Sequence, residues 1–356
     1  METRLKRSDT KPRVAVLGKK RSILTWFEDL VVALRGMGCE VAAIGTQAEG
    51  SQEKWAQKRD GLKDLENPAV RQRVGALLED FGPDLVISLN RAGLAGGLDA
   101  RWEALVDKVP WAGWLCDNLG APPPGLEPRF SKVFYFDSGC LPALREFYGA
   151  DREDDFRYLP LAVNPERYRR HEGGERKRAL VFVGKCSAHR QAMFRELRGL
   201  GVPLEVYGPG AGDWRRPWRS RRLGARKVAS LYGRYAACLN LPQPGNTELG
   251  LNLRAFEAPC SGGVSLYPDV PDLRRCFEPG REMLVYRDAG DIAERIVPML
   301  DRPGELEAIA RAGRDRVLAE HTFSHRARAL LETFGLDWAT GILSLAVGGP
   351  SGSVGG

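Results

Sequence analysis

Short apolar runs, each closed by glycine or a polar residue, alternate along the chain with longer segments whose apolar positions recur every three or four residues. The short runs predict strands and the longer ones predict helices. In the first half, strands are expected at RVAVLGKK (13–20), CEVAAIG (39–45), PDLVISLN (83–90), VPWAGWLCD (109–117), KVFYFD (132–137) and FRYLPLAV (156–163). The second half repeats the scheme with RALVFVGK (178–185), PLEVYGPG (203–210), AACLNLP (236–242), GGVSLYPD (262–269) and EMLVYRD (282–288). Helices are expected at ILTWFEDLVVALRGMG, HRQAMFRELRGLG, AGDIAERIVPMLDRP and the long run from Pro303 to Phe334. Continuous apolar strands separated by helices are the mark of parallel sheets covered on both faces.

A chain of 356 residues exceeds what one hydrophobic core comfortably holds. The pattern therefore predicts an α/β protein with two doubly wound, Rossmann-like domains, residues 1–162 and 179–335. Between them VNPERYRRHEGGERKR (163–178) is charged and poor in apolar residues, and reads as a linker. Residues 336–356 hold the end of the last helix and a Gly/Ser-rich, flexible tail. In open parallel sheets ligands bind beyond the carboxyl ends of the strands, so the residues that follow each strand carry the functional information.

Composition adds little that is specific. The net charge of +7 is spread along the chain, which suits an enzyme handling phosphates better than a nucleic-acid reader. No apolar run reaches the roughly 18 residues of a membrane span, and the polar start is unlike a signal peptide, so a cytoplasmic protein is expected. The seven cysteines are scattered without CxxC spacing and read as buried thiols, neither zinc ligands nor disulfides. The histidine pair in HTFSH (321–325) lacks a metalloprotease pattern and reads as a helix-start surface.

Residues from about 178 to 330 carry a more specific signal. LVFVGK with Arg190 downstream, LEVYG, AACLNLP, GLNLRAFEAPCSGG, DLRRCFEPGREMLVYRD and EHTFSHRARALLE stand in an order that resembles the C-terminal domain of CgeB-like (spore maturation protein type) glycosyltransferases. WLCDNLG and FYFDSG are the best matches in the more variable first half. The resemblance implies the GT-B fold, two Rossmann-like domains facing across a cleft, and kinship with retaining nucleotide-sugar transferases. It implies an acceptor site on the first domain and a donor site on the second. One departure stands out. The wider group carries two glutamates with seven residues between them; Glu257 fits the second, but the first position is Leu249, with Glu248 one residue upstream.

Chemistry agrees with that resemblance. A departing nucleoside diphosphate needs its growing negative charge stabilised, and no DxD triplet offers an acidic metal site. Cations and helix N-terminal N–H groups are then needed instead, so neither metal nor cofactor is expected. Gly184 and Lys185 follow the VFVG strand and Arg190 lies five residues on, where the resembling group places its diphosphate-binding basic pair; the alternative is solvated surface charge. In GLNLRAFEAPCSGG a helix is expected with Asn252 near its N-cap, Leu253 and Arg254 in its first turn and free N–H groups facing the diphosphate. Glu257 shares a face with Arg254 and is a candidate for the ribose hydroxyls; the bland alternative is a surface Arg254–Glu257 pair. Tyr207 and Gly208 end LEVYG, where a base or ribose would lie, although Tyr207 is equally suited to the core.

On the acceptor side, Asp117 is the first candidate catalytic base and Asp137 the second, each ending a strand. Trp111 and Trp114 beside Asp117 would raise its pKa, whereas strand-end aspartates also cap helices. A retaining enzyme needs no strong base. Gly18 and Lys19 in GKKRS form an incomplete phosphate-loop pattern bordering the expected cleft. WRRPWRSRRLGARK (214–227) has seven basic residues and no acid, with Trp214 and Trp218 interleaved, and suggests peripheral contact with an anionic acceptor or membrane. The leading expectation is a metal-independent glycosyltransferase acting on an unidentified glycan, protein or lipid acceptor. A sugar-nucleotide epimerase of similar fold and a non-catalytic nucleotide- or anion-binding protein are the alternatives.

Overall fold

A computed structural model describes residues 11–20, 25–60, 67–89, 104–105, 107–116, 130–170, 174–211 and 220–336. All eleven expected strands form. They are β1 (Arg13–Gly18), β2 (Glu40–Gly45), β3 (Leu85–Leu89), β4 (Trp111–Leu115), β5 (Lys132–Tyr135), β6 (Phe156–Tyr158), β7 (Lys177–Val183), β8 (Leu204–Tyr207), β9 (Tyr235–Leu239), β10 (Ser265–Pro268) and β11 (Leu284–Tyr286). Two sheets result, one ordered β2-β1-β3-β4-β5-β6 and the other β11-β10-β9-β7-β8. The strand registers are parallel, as in β1 with β3 and β7 with β8.

Two compact units make up the chain: Met1–Gly113 with Gly125–Ser131 and Arg326–Gly356, and Trp114–Pro124 with Lys132–His325. In the first, β1 is buried along Val14–Leu17 beneath the helix Trp26–Gly36, whose Phe27, Leu30 and Leu34 recur at helical spacing and are buried. The helix Pro68–Phe81 starts at Asn67, whose side chain accepts from the amides of Ala69 and Val70, and stops at Gly82 in the left-handed region. In the second unit β7 shows why an unbroken apolar run is a strand. Leu180 and Phe182 enter one core cluster while Ala179, Val181 and Val183 enter the other, so both faces of the strand are covered. All seven cysteines are buried free thiols.

Two helical runs differ from their sequence pattern. Residues 289–301 do not form one helix but a short helix (Ala289–Asp291), a π turn (Ile292–Ile296) and a 3-10 turn (Val297–Asp301). Pro298 lacks the N–H that an uninterrupted α-helix would use there. The long C-terminal run divides into Pro303–Glu320 and Phe323–Thr333. At the break Val163 donates to the carbonyl of His321 (3.0 Å) and accepts from Phe323 (3.3 Å), drawing those groups out of the helix.

His321 is consequently not on a surface, correcting that expectation. It is buried against Phe256 and Phe277, with Nε2 on the Cys276 carbonyl at 2.9 Å. The charged segment is likewise tied down: Arg170 and Arg176 both pair with Glu307, and Arg176 also donates to the Gly262 carbonyl. Among the described residues no helix is long and apolar enough to cross a membrane.

The ends of β7 and β8 stay in register past the strands, with the Gly184 amide on the Tyr207 carbonyl (2.9 Å) and the Cys186 amide on that of Pro209 (2.8 Å). Gly208 permits this approach: its φ is +127°, and a Cβ there would lie 2.1 Å from the Gly184 carbonyl oxygen. Gly208→Ala is therefore expected to lose about 3 kcal/mol or more of stability, a backbone collision added to left-handed strain. Urea denaturation measures it, and a loss below about 1 kcal/mol would mean that the strand ends separate freely.

Candidate functional site

The candidate site is built at the carboxyl ends of β7, β8 and β9, where strand geometry delivers three basic side chains. Lys185 follows the β7 glycine and is exposed. Arg190, in the first turn of the helix Ala188–Gly199, is only 4% exposed. Its Nε donates to the Leu241 carbonyl (2.9 Å) and its Nη1 to the Lys185 carbonyl (2.8 Å), so it ties the β9 exit to the β7 exit. Arg254 enters from the helix Arg254–Cys260, with Nη2 placed 2.9 Å from where a Cβ on Gly184 would stand.

Both guanidinium groups stack on Phe182, Arg190 at 5.4 Å and Arg254 at 5.9 Å from the ring centre. None of Lys185, Arg190 and Arg254 has a carboxylate partner among the described residues. Burial, and then the charge of Arg254, push the Arg190 pKa down to about 10, which leaves it protonated at neutral pH. Two like charges on one aromatic ring, without a carboxylate partner, form a site that favours an anion.

The loop feeding Arg254 is held by side chains. Asn252 and Asn240 exchange reciprocal amide hydrogen bonds at 2.9 and 3.0 Å. The Asn252 amide donates to the Tyr267 hydroxyl (3.0 Å), which donates in turn to the Gly250 carbonyl (3.3 Å). Tyr286 donates to the Asn240 carbonyl at 2.8 Å. Burial raises the pKa of both tyrosines, so they remain donors. Asn252 Oδ1 accepts from the Arg254 amide at 3.0 Å and so performs the expected capping, one residue ahead of Leu253. This leaves the Leu253 amide without a hydrogen bond among the described residues, rather than a full turn of free N–H groups.

Glu257 is half-buried, one turn beyond Arg254 on the same helix. Tyr207 behaves as a packing residue. Its hydroxyl bonds Glu205 (3.1 Å) and Tyr235 (2.9 Å), Tyr235 bonds the same carboxylate, and Lys177 pairs with it. Its side chain is thus engaged in packing, beside Gly208.

Gly18 and Lys19 lie at the end of β1 in the other compact unit, where the Gly18 carbonyl accepts from Thr46 at 3.0 Å. Asp117, Trp214 and Trp218 fall outside the described residues. Asp137 is fully buried, and both its oxygens accept backbone amides. That geometry suits an anchor and not a proton acceptor, which corrects its reading as a candidate base. Sequence reasoning missed Phe182, Asn240 and Tyr267; of these Asn240 carried a signal, as a polar residue interrupting the apolar AACLNLP.

Residues 188–332 match the family model described as Glycosyl transferase-like. No curated protein matches the chain in sequence. Among solved structures it is similar to sucrose-phosphate synthase from Thermosynechococcus elongatus, with a TM-score of 0.61 and 13% identity over 91% of this chain and 98% of that one. A glycosyltransferase from Rickettsia africae gives 0.61 and 11% over 93% and 99%. Anabaena HepE, solved with UDP and glucose, gives 0.60 and 10% over 91% and 99%. The fold is GT-B. The chain carries a glycosyl transferase-like domain, which makes it a transferase.

The differing settings of the cations separate binding from stability. Lys185→Ala and Arg190→Ala should each weaken pyrophosphate binding by about 1–3 kcal/mol, the range for charged hydrogen bonds. Only Arg190→Ala should also lower stability by about 1–3 kcal/mol, because it strands the carbonyls of Leu241 and Lys185. Calorimetric titration with parallel melting curves checks both, and unaltered pyrophosphate affinity in both variants would return these cations to scaffold.

Proposed function

We propose that the protein is a CgeB-like glycosyltransferase that moves a sugar from a nucleoside-diphosphate donor to a glycan, protein or lipid acceptor, without a metal ion and with retention of configuration. The observation that carries this reading is the cluster of Lys185, Arg190 and Arg254 around the Gly184–Gly208 approach, cationic and lacking carboxylate partners. In this reading the diphosphate lies along the glycine backbone, and the Leu253 amide and the three cations take up the charge that grows on it as the glycosidic bond breaks. Fixed cations make a divalent ion unnecessary for that task. Glu257 accepts from the ribose hydroxyls, and the base lies near the Tyr207–Gly208 backbone. Structural likeness to HepE, which was solved with UDP, supports a nucleotide donor.

Residues 179–335 form the donor domain in this proposal and residues 1–162 the acceptor domain, with 163–178 between them; Gly18 and Lys19 belong to the acceptor side. The basic segment 214–227 is proposed to meet an anionic acceptor or membrane. Arg221, Arg222, Arg226 and Lys227 are exposed there, as such contact requires.

Donor specificity separates the two central side chains. Glu257→Gln should weaken free nucleoside and nucleoside diphosphate alike, by roughly 1.5–3 kcal/mol, the worth of charge-assisted hydrogen bonds. Arg254→Ala should weaken the diphosphate and spare the nucleoside. Titration of both variants tests this; equal nucleoside affinity in wild type and Glu257→Gln would defeat the ribose assignment. A hydrolysis screen across nucleotide sugars, run with and without EDTA, tests the whole reading. Turnover that EDTA abolishes would refute metal independence.

A further inference from the structure

The turn after β5 holds a group of contacts that sugar transfer does not itself require. Asp137 Oδ2 accepts from the Glu248 amide at 2.6 Å, and Oδ1 accepts from the amides of Leu249 at 3.0 Å and Gly139 at 2.8 Å. Asp272, 3% exposed in the 3-10 turn Pro271–Arg275, closes the circuit from the opposite side. Its Oδ2 accepts from the Ser138 amide at 2.7 Å, and its own amide donates to the Leu249 carbonyl at 3.1 Å.

Three segments distant in sequence are thereby joined by two carboxylates, all inside the compact unit that contains Lys132–His325. The fit is close: a Cβ on Gly250 would stand 2.8 Å from the Asp137 Cα, and one on Gly139 2.8 Å from Glu248 Oε2.

Asp137 has no basic partner among the described residues; backbone amides alone hold its buried carboxylate. A buried charge is a poor way to gain stability, because its desolvation offsets most of the attraction. It does fix position, since amide donors accept only a narrow range of geometries. The segment it fixes runs straight into the site. Leu249 leads to Gly250, whose carbonyl accepts from Tyr267, and Tyr267 accepts from the Asn252 amide beside Arg254.

We propose that Asp137 and Asp272 are positioning residues, a two-carboxylate latch that holds the 248–254 loop so that Arg254 stands beside Arg190 over Phe182. The role of that loop as donor binder rests on the function proposed above.

The test uses the full-length protein and the isosteric variants Asp137→Asn and Asp272→Asn. Asp137→Asn turns one of two amide-accepting oxygens into an N–H donor aimed at a backbone N–H, and Asp272→Asn turns such a donor toward either the Ser138 amide or the Arg275 guanidinium. Hydrogen–deuterium exchange without ligand should show peptides spanning 247–252 exchanging about tenfold faster or more in both variants, with β7 unchanged as the folding control. Pyrophosphate and nucleotide-sugar affinity should fall about tenfold, and KM for the donor should rise more than kcat falls. Combining the two substitutions should produce less than the product of the single effects, since one release already frees the loop.

Unchanged exchange at 247–252 in both variants overturns the latch. Faster exchange with unaltered pyrophosphate affinity and donor KM overturns the positioning role. If the wild-type protein ignores every nucleotide sugar, the transferase reading falls. The latch is then upheld or overturned by exchange and pyrophosphate affinity alone.

Discussion

Two guanidinium groups on one phenylalanine ring, with no carboxylate between them, set the character of this molecule. Arg190 and Arg254 repel each other, and burial denies Arg190 the water that would screen the repulsion. Such an arrangement persists only because other groups hold it. Arg190 is fixed by two backbone carbonyls that belong to different strand exits, and Arg254 by a short helix whose entry is capped by Asn252. The strand order places these parts side by side: β7 lies between β8 and β9, so the exits of all three adjoin. In the function proposed above, an anion at this pair would relieve that repulsion, which directs binding energy at the place where charge would develop during transfer.

The support around that pair is polar and mostly buried. The Asn240–Asn252 amide pair, Tyr267 and Tyr286 are each tied to a neighbour by at least one hydrogen bond. A hydrogen-bonded network of this kind specifies one arrangement where apolar packing would tolerate several. It also explains why the loop before Arg254 needs glycine at position 250, where the Phe136 carbonyl and Asp137 leave no space for a side chain.

What the sequence made legible follows the range of the interactions involved. Strands and most helices were readable because alternation, helical spacing and turn residues act within a few positions, as does the capping by Asn252 two residues ahead of its target. Arg190 was readable as a cation after β7, but its burial was not, since one carbonyl it serves lies 51 positions away. Asp137 looked like a strand-end base for the same reason: the Glu248 amide that occupies it is 111 residues distant. The division of the C-terminal helix at His321 came from Val163, again a distant partner. Tyr207 shows the limit of reading strand ends, where a residue at the end of a strand can spend its side chain on packing.

The burial of every cysteine reaches beyond packing. Burial pushes the Cys39 thiol up to about 11 and those of Cys238 and Cys260 up to about 12, so at neutral pH almost none exists as the reactive thiolate. The folded protein thus presents a surface nearly blank to alkylating reagents. A single cysteine introduced on an exposed helix would carry a fluorophore or spin label alone, with the native sulfur atoms left silent inside the two cores.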